Sequence, residues 1–225
     1  MMLRDRTEAG HRLAAALAHL RGEDPVVLAL PRGGVPVGFE IARALGAPLD
    51  LVLVRKIGAP FQPELAVGAV ANGGAPELVV NEDVAGPLGL ERAWIEAQAA
   101  RQLEEIERRR RLYLEGRAPV PLEGRTAIVV DDGVATGATT RAALRAVRRR
   151  APRRLVLAVP VAAPEAAAML RAEVEELVCL EMPAYLGAIG AAYLDFRQVE
   201  DDEVRDLLAR AASFAPAAPA SASGG

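Results

Sequence analysis

Cysteine and lysine each occur once in the 225 residues. The lone cysteine, Cys179, stands in the apolar run ELVCLEM. It has no partner in the chain, which excludes an internal disulfide framework and a zinc site built from cysteines, and predicts a buried, inert thiol. The lone lysine, Lys56, is set against 26 arginines among 27 basic residues, so its position is worth following. No uninterrupted apolar run approaches the roughly 20 residues a membrane helix needs. The start, MMLRDRTEAGHRL, is charged where a signal peptide has its apolar stretch. Both absences predict a cytoplasmic protein with no membrane partner. A net charge of -3 supplies no general pull toward nucleic acid. RRRR at 108–111 and RRRAPRR at 148–154 are local basic clusters, whose ordinary place is the solvated face of a helix.

What is present is 52% apolar residues, ample for a packed core, arranged in alternating periods. Asp5 to Leu20 repeats apolar residues at helical spacing, at Leu13, Ala16, Leu17 and Leu20. GEDP breaks it, and VVLALP follows as a short apolar strand. VPVGFEIARAL reads as a helix stopped by Gly46, and LDLVLV as a second strand. Such alternation predicts an α/β fold with a parallel-sheet core and helices on both faces. GAPFQPELAVGAVANGGAPELVVN reads as a Pro- and Gly-rich loop, then a hairpin turning at NGGAP and adding to a sheet edge. Residues 90–114 form a long accessory helix, with Trp94, Ala97, Leu103, Ile106 and Leu114 on its apolar side. RTAIVV, the helix from Gly137 to Arg150, RLVLAVPV and PEAAAMLRAE continue the alternation, and a last helix is expected near Asp201 to Ala212. No internal repeat is present. One domain over 1–214 is expected, with an irregular hood at about 178–200, and the tail APAAPASASGG at 215–225 is predicted to be disordered.

In open parallel sheets, ligands bind beyond the carboxyl ends of the strands. Three strand ends here carry chemistry: PRGG at 31–34, Arg55 with Lys56, and VVDDGVATGATT at 129–140. Two cationic rims and two glycines suit a ligand with more than one phosphate group. The small-residue loop opening a helix offers free N–H groups and the positive end of the helix dipole to an anion. A capped helix start without ligand explains the threonines but leaves Asp131 and Asp132 without a purpose. Adjacent carboxylates repel, and are costly near a core unless hydroxyls or a cation engage them. The pattern therefore points to a sugar phosphate, with phosphate on the helix start and vicinal hydroxyls on the carboxylates.

VVDDGVATGATT closely resembles the phosphoribosyl diphosphate (PRPP) motif of type I phosphoribosyltransferases. Together with DRTEAG, LPRGGVPVG and VRKIGAPFQPELAVGAV, it resembles a group of bacterial phosphoribosyltransferases of undefined substrate, across nearly the whole chain before the tail. The resemblance implies that Asp131 and Asp132 hold the ribose hydroxyls and stabilise a cationic ribosyl transition state. Ala135, Thr136, Gly137, Ala138 and Thr139 would bind the 5-phosphate. Arg32, Gly33 and Gly34 would form the pyrophosphate loop, often with a strained or cis peptide, and Arg55 and Lys56, on a mobile loop, would contact the leaving pyrophosphate. Mg2+ carried mainly by PRPP is implied, as is a homodimer through the hairpin or the long helix. Ala135 replaces the aspartate of hypoxanthine and guanine transferases, which counts against a 6-oxopurine. Tyr185, Tyr193 and Phe196, within the hood from Pro183 to Phe196, are available to stack on an acceptor ring.

The function implied is transfer of a phosphoribosyl group to a nitrogen acceptor, a nucleobase in salvage. The competing reading is a PRPP-sensing regulator that turns its arginine clusters on nucleic acid or a protein partner. An acid-nucleophile phosphatase would need Asp-x-Asp, and Asp131 and Asp132 are adjacent.

Overall fold

In the computed structural model of the chain, residues 2–72, 76–114 and 116–214 are described. Helix α1 (Arg6–Ala16) leads into β1 (Pro25–Ala29), α2 (Gly34–Leu45) and β2 (Leu49–Leu51). Strands β3 (Leu53–Ala59), β4 (Gln62–Asn72) and β5 (Glu77–Val80) follow, then the short α3 (Glu82–Ala85) and the long α4 (Arg92–Leu114). The remainder alternates as β6 (Thr126–Val130), α5 (Ala138–Arg148), β7 (Arg154–Val161), α6 (Pro164–Arg171), β8 (Glu176–Glu181) and α7 (Asp201–Ala211). Five strands form one parallel sheet in the order β2-β1-β6-β7-β8. No helix of the described residues is long and apolar enough to cross a membrane.

Both faces of this sheet are covered, which is why its strands read as continuous apolar runs rather than alternating ones. Successive strand residues point to opposite faces. Val27, Ala29, Ile128, Val130, Val156 and Ala158 accordingly pack in the core with α1 and α2. Val26, Leu28, Ala127, Val129, Leu155 and Leu157 pack in a second core with α5 and α6.

The stretch LDLVLV is not one strand. Val52 still donates its N–H to the Ala29 carbonyl at 3.0 Å, but from Leu53, paired with Asn72, the chain leaves the parallel sheet for a separate antiparallel one in the order β3-β4-β5. An apolar run buried on both sides carries no mark of where it changes partner. The expected Pro- and Gly-rich loop is likewise strand: β3 and β4 pair down to Ala59 opposite Gln62. Register shifts flank Gly58, opposite the segment that holds Pro63, and such irregularities are where a proline with no N–H is tolerated in a sheet. The β4–β5 hairpin forms in this second sheet, not on an edge of the parallel one, and packs with β3 against α4 and α5. Its expected turn at Gly73, Gly74 and Ala75 lies outside the described residues, as does the tail from 215. In α4 the buried positions are Ile95, Ala99, Ile106, Tyr113 and Leu114, while Ala97 faces solvent. Cys179 is half-buried in β8, its thiol donates to the Glu181 carbonyl at 3.2 Å, and burial pushes its pKa up, away from thiolate reactivity.

Candidate functional site

Strands β1 and β6 lie side by side with Ala29 opposite Val130, so the segments that follow them emerge together at the carboxyl edge. Leu30 donates its N–H to the Val130 carbonyl at 2.9 Å, the Pro31–Arg32 peptide is cis, and α2 begins at Gly34. Asp131 and Asp132 follow β6 directly. The two segments touch: a Cβ on Gly33 would lie 1.9 Å from Asp132 Oδ2, and one on Gly34 would lie 2.7 Å from the Val130 carbonyl oxygen. Gly33 has an ordinary φ of -60°, so space rather than backbone freedom demands glycine there.

Residues 135–139 come next, with Ala135, Thr136 and Thr139 exposed. Helix α5 is capped by Gly137 in the left-handed region, φ 79°, with no side-chain cap on its first turn. The positive φ is what demands glycine here; a Cβ would also lie 2.7 Å from Met169 Cε, the movable tip of a flexible side chain. A helix start not capped by its own side chains presents N–H groups and the positive dipole end to an anion.

The second cationic segment arrives from the other sheet. Arg55, Lys56 and Gly58 share a hollow of about 380 Å3 with Thr139 and with Gln102 of α4. Arg55 Nε donates to Gln102 Oε1 at 3.2 Å. Arg32 stands 3.6 Å from Asp201 and 4.0 Å from Glu200 at the start of α7. Tyr113 of α4 donates its hydroxyl to Asp201 at 2.5 Å, and burial together with that bond pushes the phenol up to about 12. The long helix thus touches one arginine of the site directly and the other through Asp201. Gln102 and Tyr113 escape a reading by motif because neither adjoins one in sequence; the scarcity of amides in the chain is the signal that marks Gln102.

The two carboxylates have different environments. Asp131 accepts the N–H of Asp132 on Oδ1 at 2.9 Å, while Asp132 Oδ2 receives both Nε and Nη2 of Arg6 at 2.8 Å. Burial first, and the charge of Asp132 second, push Asp131 well above its ordinary value of 3.8. A raised folded pKa means the native state holds this proton more tightly than the unfolded chain does. The contribution of Asp131 to stability is therefore full below 3.8 and is lost as pH climbs through its raised value. Thermal unfolding followed across that window should show Asp131→Asn without this loss, so that its advantage over wild type grows with pH.

The hood supplies a second hollow of about 430 Å3, lined by Val161, Glu181, Pro183, Tyr185 and Leu186, beyond the ends of β7 and β8. Tyr185, 88% exposed, is the candidate acceptor aromatic that borders open space. Tyr193 and Phe196 are differently placed. Tyr193 is buried against Leu3 and Ala9 and donates its hydroxyl to the Asp132 carbonyl at 2.6 Å, and Phe196 packs on it with ring centres 4.9 Å apart. Their hydrophobic faces are used inside the fold, a commitment invisible in an irregular segment read by composition.

The order of parts at these strand ends matches one family along most of the chain. A family model for the phosphoribosyl transferase domain matches residues 5–195. The chain belongs to that family. Two Mycobacterium tuberculosis proteins, of strains CDC 1551 and H37Rv, both provisionally named phosphoribosyl transferases, are 46% identical over 207 residues. Those matches cover 92% of this chain and 46% of theirs, so the chain spans about half the length of the curated relatives it matches. The crystal structure of TT1426 from Thermus thermophilus is 48% identical, with a TM-score of 0.81, covering 96% of this chain and all of that one. The parallel sheet of five strands flanked by helices is thus the phosphoribosyltransferase fold, and Asp131, Asp132 and the loop after them follow its central strand, β6.

Proposed function

We propose that the chain transfers the 5-phosphoribosyl group of PRPP to a nucleobase nitrogen with release of pyrophosphate. The observation that carries this reading is the direct contact of Gly33, on the loop after β1, with Asp132, on the segment after β6. It brings a glycine-rich diphosphate loop against a ribose-binding carboxylate, beside an uncapped helix start suited to the 5-phosphate. In this mechanism the bond from the ribose anomeric carbon to the pyrophosphate oxygen breaks, and its electron pair leaves with pyrophosphate. The acceptor nitrogen supplies the pair for the new bond and releases its proton to water. Asp131 and Asp132 face the cationic ribosyl group through its hydroxyls, and Arg55 and Lys56 neutralise charge developing on the leaving group. Tyr185 stacks on the acceptor.

Among the described residues no group of three or more His, Cys, Asp or Glu is placed to hold a metal. In this reading Mg2+ enters on the diphosphate, since this ion keeps several waters and takes substrate phosphates in place of an all-protein cage. When bound, it would withdraw charge from the leaving pyrophosphate.

Lys56 brings a compact ammonium on a flexible stem, able to follow a moving phosphate. Lys56→Ala should therefore lower kcat by about 10²-fold, the size of one lost transition-state contact, with a smaller change in PRPP affinity. Pre-steady-state release of pyrophosphate separates the two. The reading as a whole is tested by calorimetric titration of PRPP with magnesium, followed in the same cell by a panel of bases. Binding and turnover of one base support it, and no heat from either PRPP or ribose 5-phosphate sinks it. Binding without turnover of any base would favour a PRPP sensor. The basic clusters offer that alternative little, because Arg108 and Arg109 pair with Glu105, Arg148 with Glu175, and Arg154 with Glu23 and Glu176.

A further inference from the structure

Arg6, the first residue of α1, is the hub of a packed junction beneath the candidate ribose site. Its Nε and Nη2 both lie 2.8 Å from Asp132 Oδ2, and its Nη1 donates to the Arg197 carbonyl at 2.8 Å. The guanidinium lies over the Phe196 ring, 3.9 Å from its centre. Phe196 packs on Tyr193, whose hydroxyl donates to the main-chain carbonyl of Asp132. The side chains of Arg6 and Asp132 are only 11% and 12% exposed, so solvent screens the pair little. The start of α1 is itself held by Asp5, whose carboxylate accepts the Glu8 N–H at 2.8 Å.

We propose that Arg6 is a positioning residue for ribose recognition: it locks the carboxylate of Asp132 so that Oδ1 is presented to a sugar hydroxyl. The proposal rests on the reading of the site as a PRPP site. Both Arg6 donors fall on Oδ2, so Oδ1 is the oxygen that Arg6 leaves to other partners: the neighbouring Asp131 carboxyl reaches the Asp132 side chain, and a ligand hydroxyl can add to the remaining acceptor capacity. An unbraced Asp132 carboxylate would be free to turn about its side-chain bonds. The forked guanidinium prevents that, with a planar geometry that an ammonium lacks. The three Arg6 nitrogens are already engaged, by Asp132 Oδ2 and by the Arg197 carbonyl. Its effect therefore falls on discrimination among sugars, not on the phosphate held at the helix start.

The test is calorimetric titration of ribose 5-phosphate, its 2-deoxy and 3-deoxy analogues, and inorganic phosphate into wild type, Arg6→Gln and Arg6→Lys. Wild type should prefer ribose 5-phosphate over at least one deoxy analogue. Arg6→Gln should lose that preference by about 10-fold, the size of one charge-assisted hydrogen bond, with inorganic phosphate affinity unchanged. A folded Arg6→Gln that keeps the wild-type preference overturns the proposal, as does a loss shared equally by inorganic phosphate, which would mark a purely structural role. Should Arg6→Gln not fold, Arg6→Lys decides. Its single ammonium cannot give two bonds to Oδ2 while serving the Arg197 carbonyl, so a reduced preference supports the proposal and an unchanged one overturns it. If wild type binds none of the sugar phosphates, the PRPP reading itself has failed, an outcome separate from the others.

Discussion

Asp131→Asn and Asp132→Asn should both reduce phosphoribosyl transfer by about 10²- to 10³-fold in kcat, yet move stability in opposite directions. Asp131 is held with its pKa well above normal by burial and by the neighbouring Asp132 charge, so at neutral pH its ionised form is a burden on the fold. An amide removes that burden and still accepts the Asp132 N–H on its oxygen, as Asp131 Oδ1 does now. A gain of about 1 kcal/mol is expected, the ordinary scale of a stabilising single substitution, or roughly 2–4 °C in Tm for a chain of this size. Asp132→Asn instead strips the countercharge from Arg6, which is 11% exposed. Removing one partner of an enclosed ion pair costs about 3 kcal/mol, or roughly 6–12 °C. Calorimetric melting and pyrophosphate release on the two variants measure both quantities. Equal shifts of Tm in the same direction would contradict this account of the pair.

Gly33→Ala should cost more than its one added methyl suggests. The backbone at Gly33 suits any residue, so the penalty is steric, and the atoms it meets are Asp132 Oδ2 at 1.9 Å and Cγ at 2.4 Å. The tip of a free side chain would swing aside. Asp132 is held by two donors of Arg6 and, through its main chain, by Tyr193. Either the loop after β1 lifts or the ion pair opens. Overpacking of this kind costs about 1–3 kcal/mol, and each resolution displaces a part of the proposed PRPP site, so affinity for PRPP should fall by at least about 10²-fold. Wild-type affinity in a folded Gly33→Ala variant would show that the loop and the carboxylate are not coupled as described.

The parts of the site that form from contiguous residues are legible in the order of amino acids. DDGVATGATT carries its own context, because an apolar strand, an acidic pair and a glycine-opened helix are local features with local causes. PRGG is legible for the same reason. The mobile loop expected after LDLVLV is instead strand: Arg55 and Lys56 lie on β3 of the second sheet, and long-range pairing with β4 outweighs the local content of proline and glycine. The environments of the three hood aromatics are not legible in the sequence. Tyr185 borders an open hollow, whereas Tyr193 and Phe196 have their faces and hydroxyl occupied by Leu3, Arg6 and Asp132.

By itself the sequence determined the α/β alternation, the family and the residues at the strand ends, because periodicity, glycine geometry and adjacent charges act over a few residues. Tertiary structure alone decided what holds those residues. Arg6 reaches Asp132 across 126 positions, Arg55 reaches Gln102 across 47, and Tyr113 reaches Asp201 across 88. No local preference selects such partners; they follow from which elements the sheet order and helix packing bring to one edge.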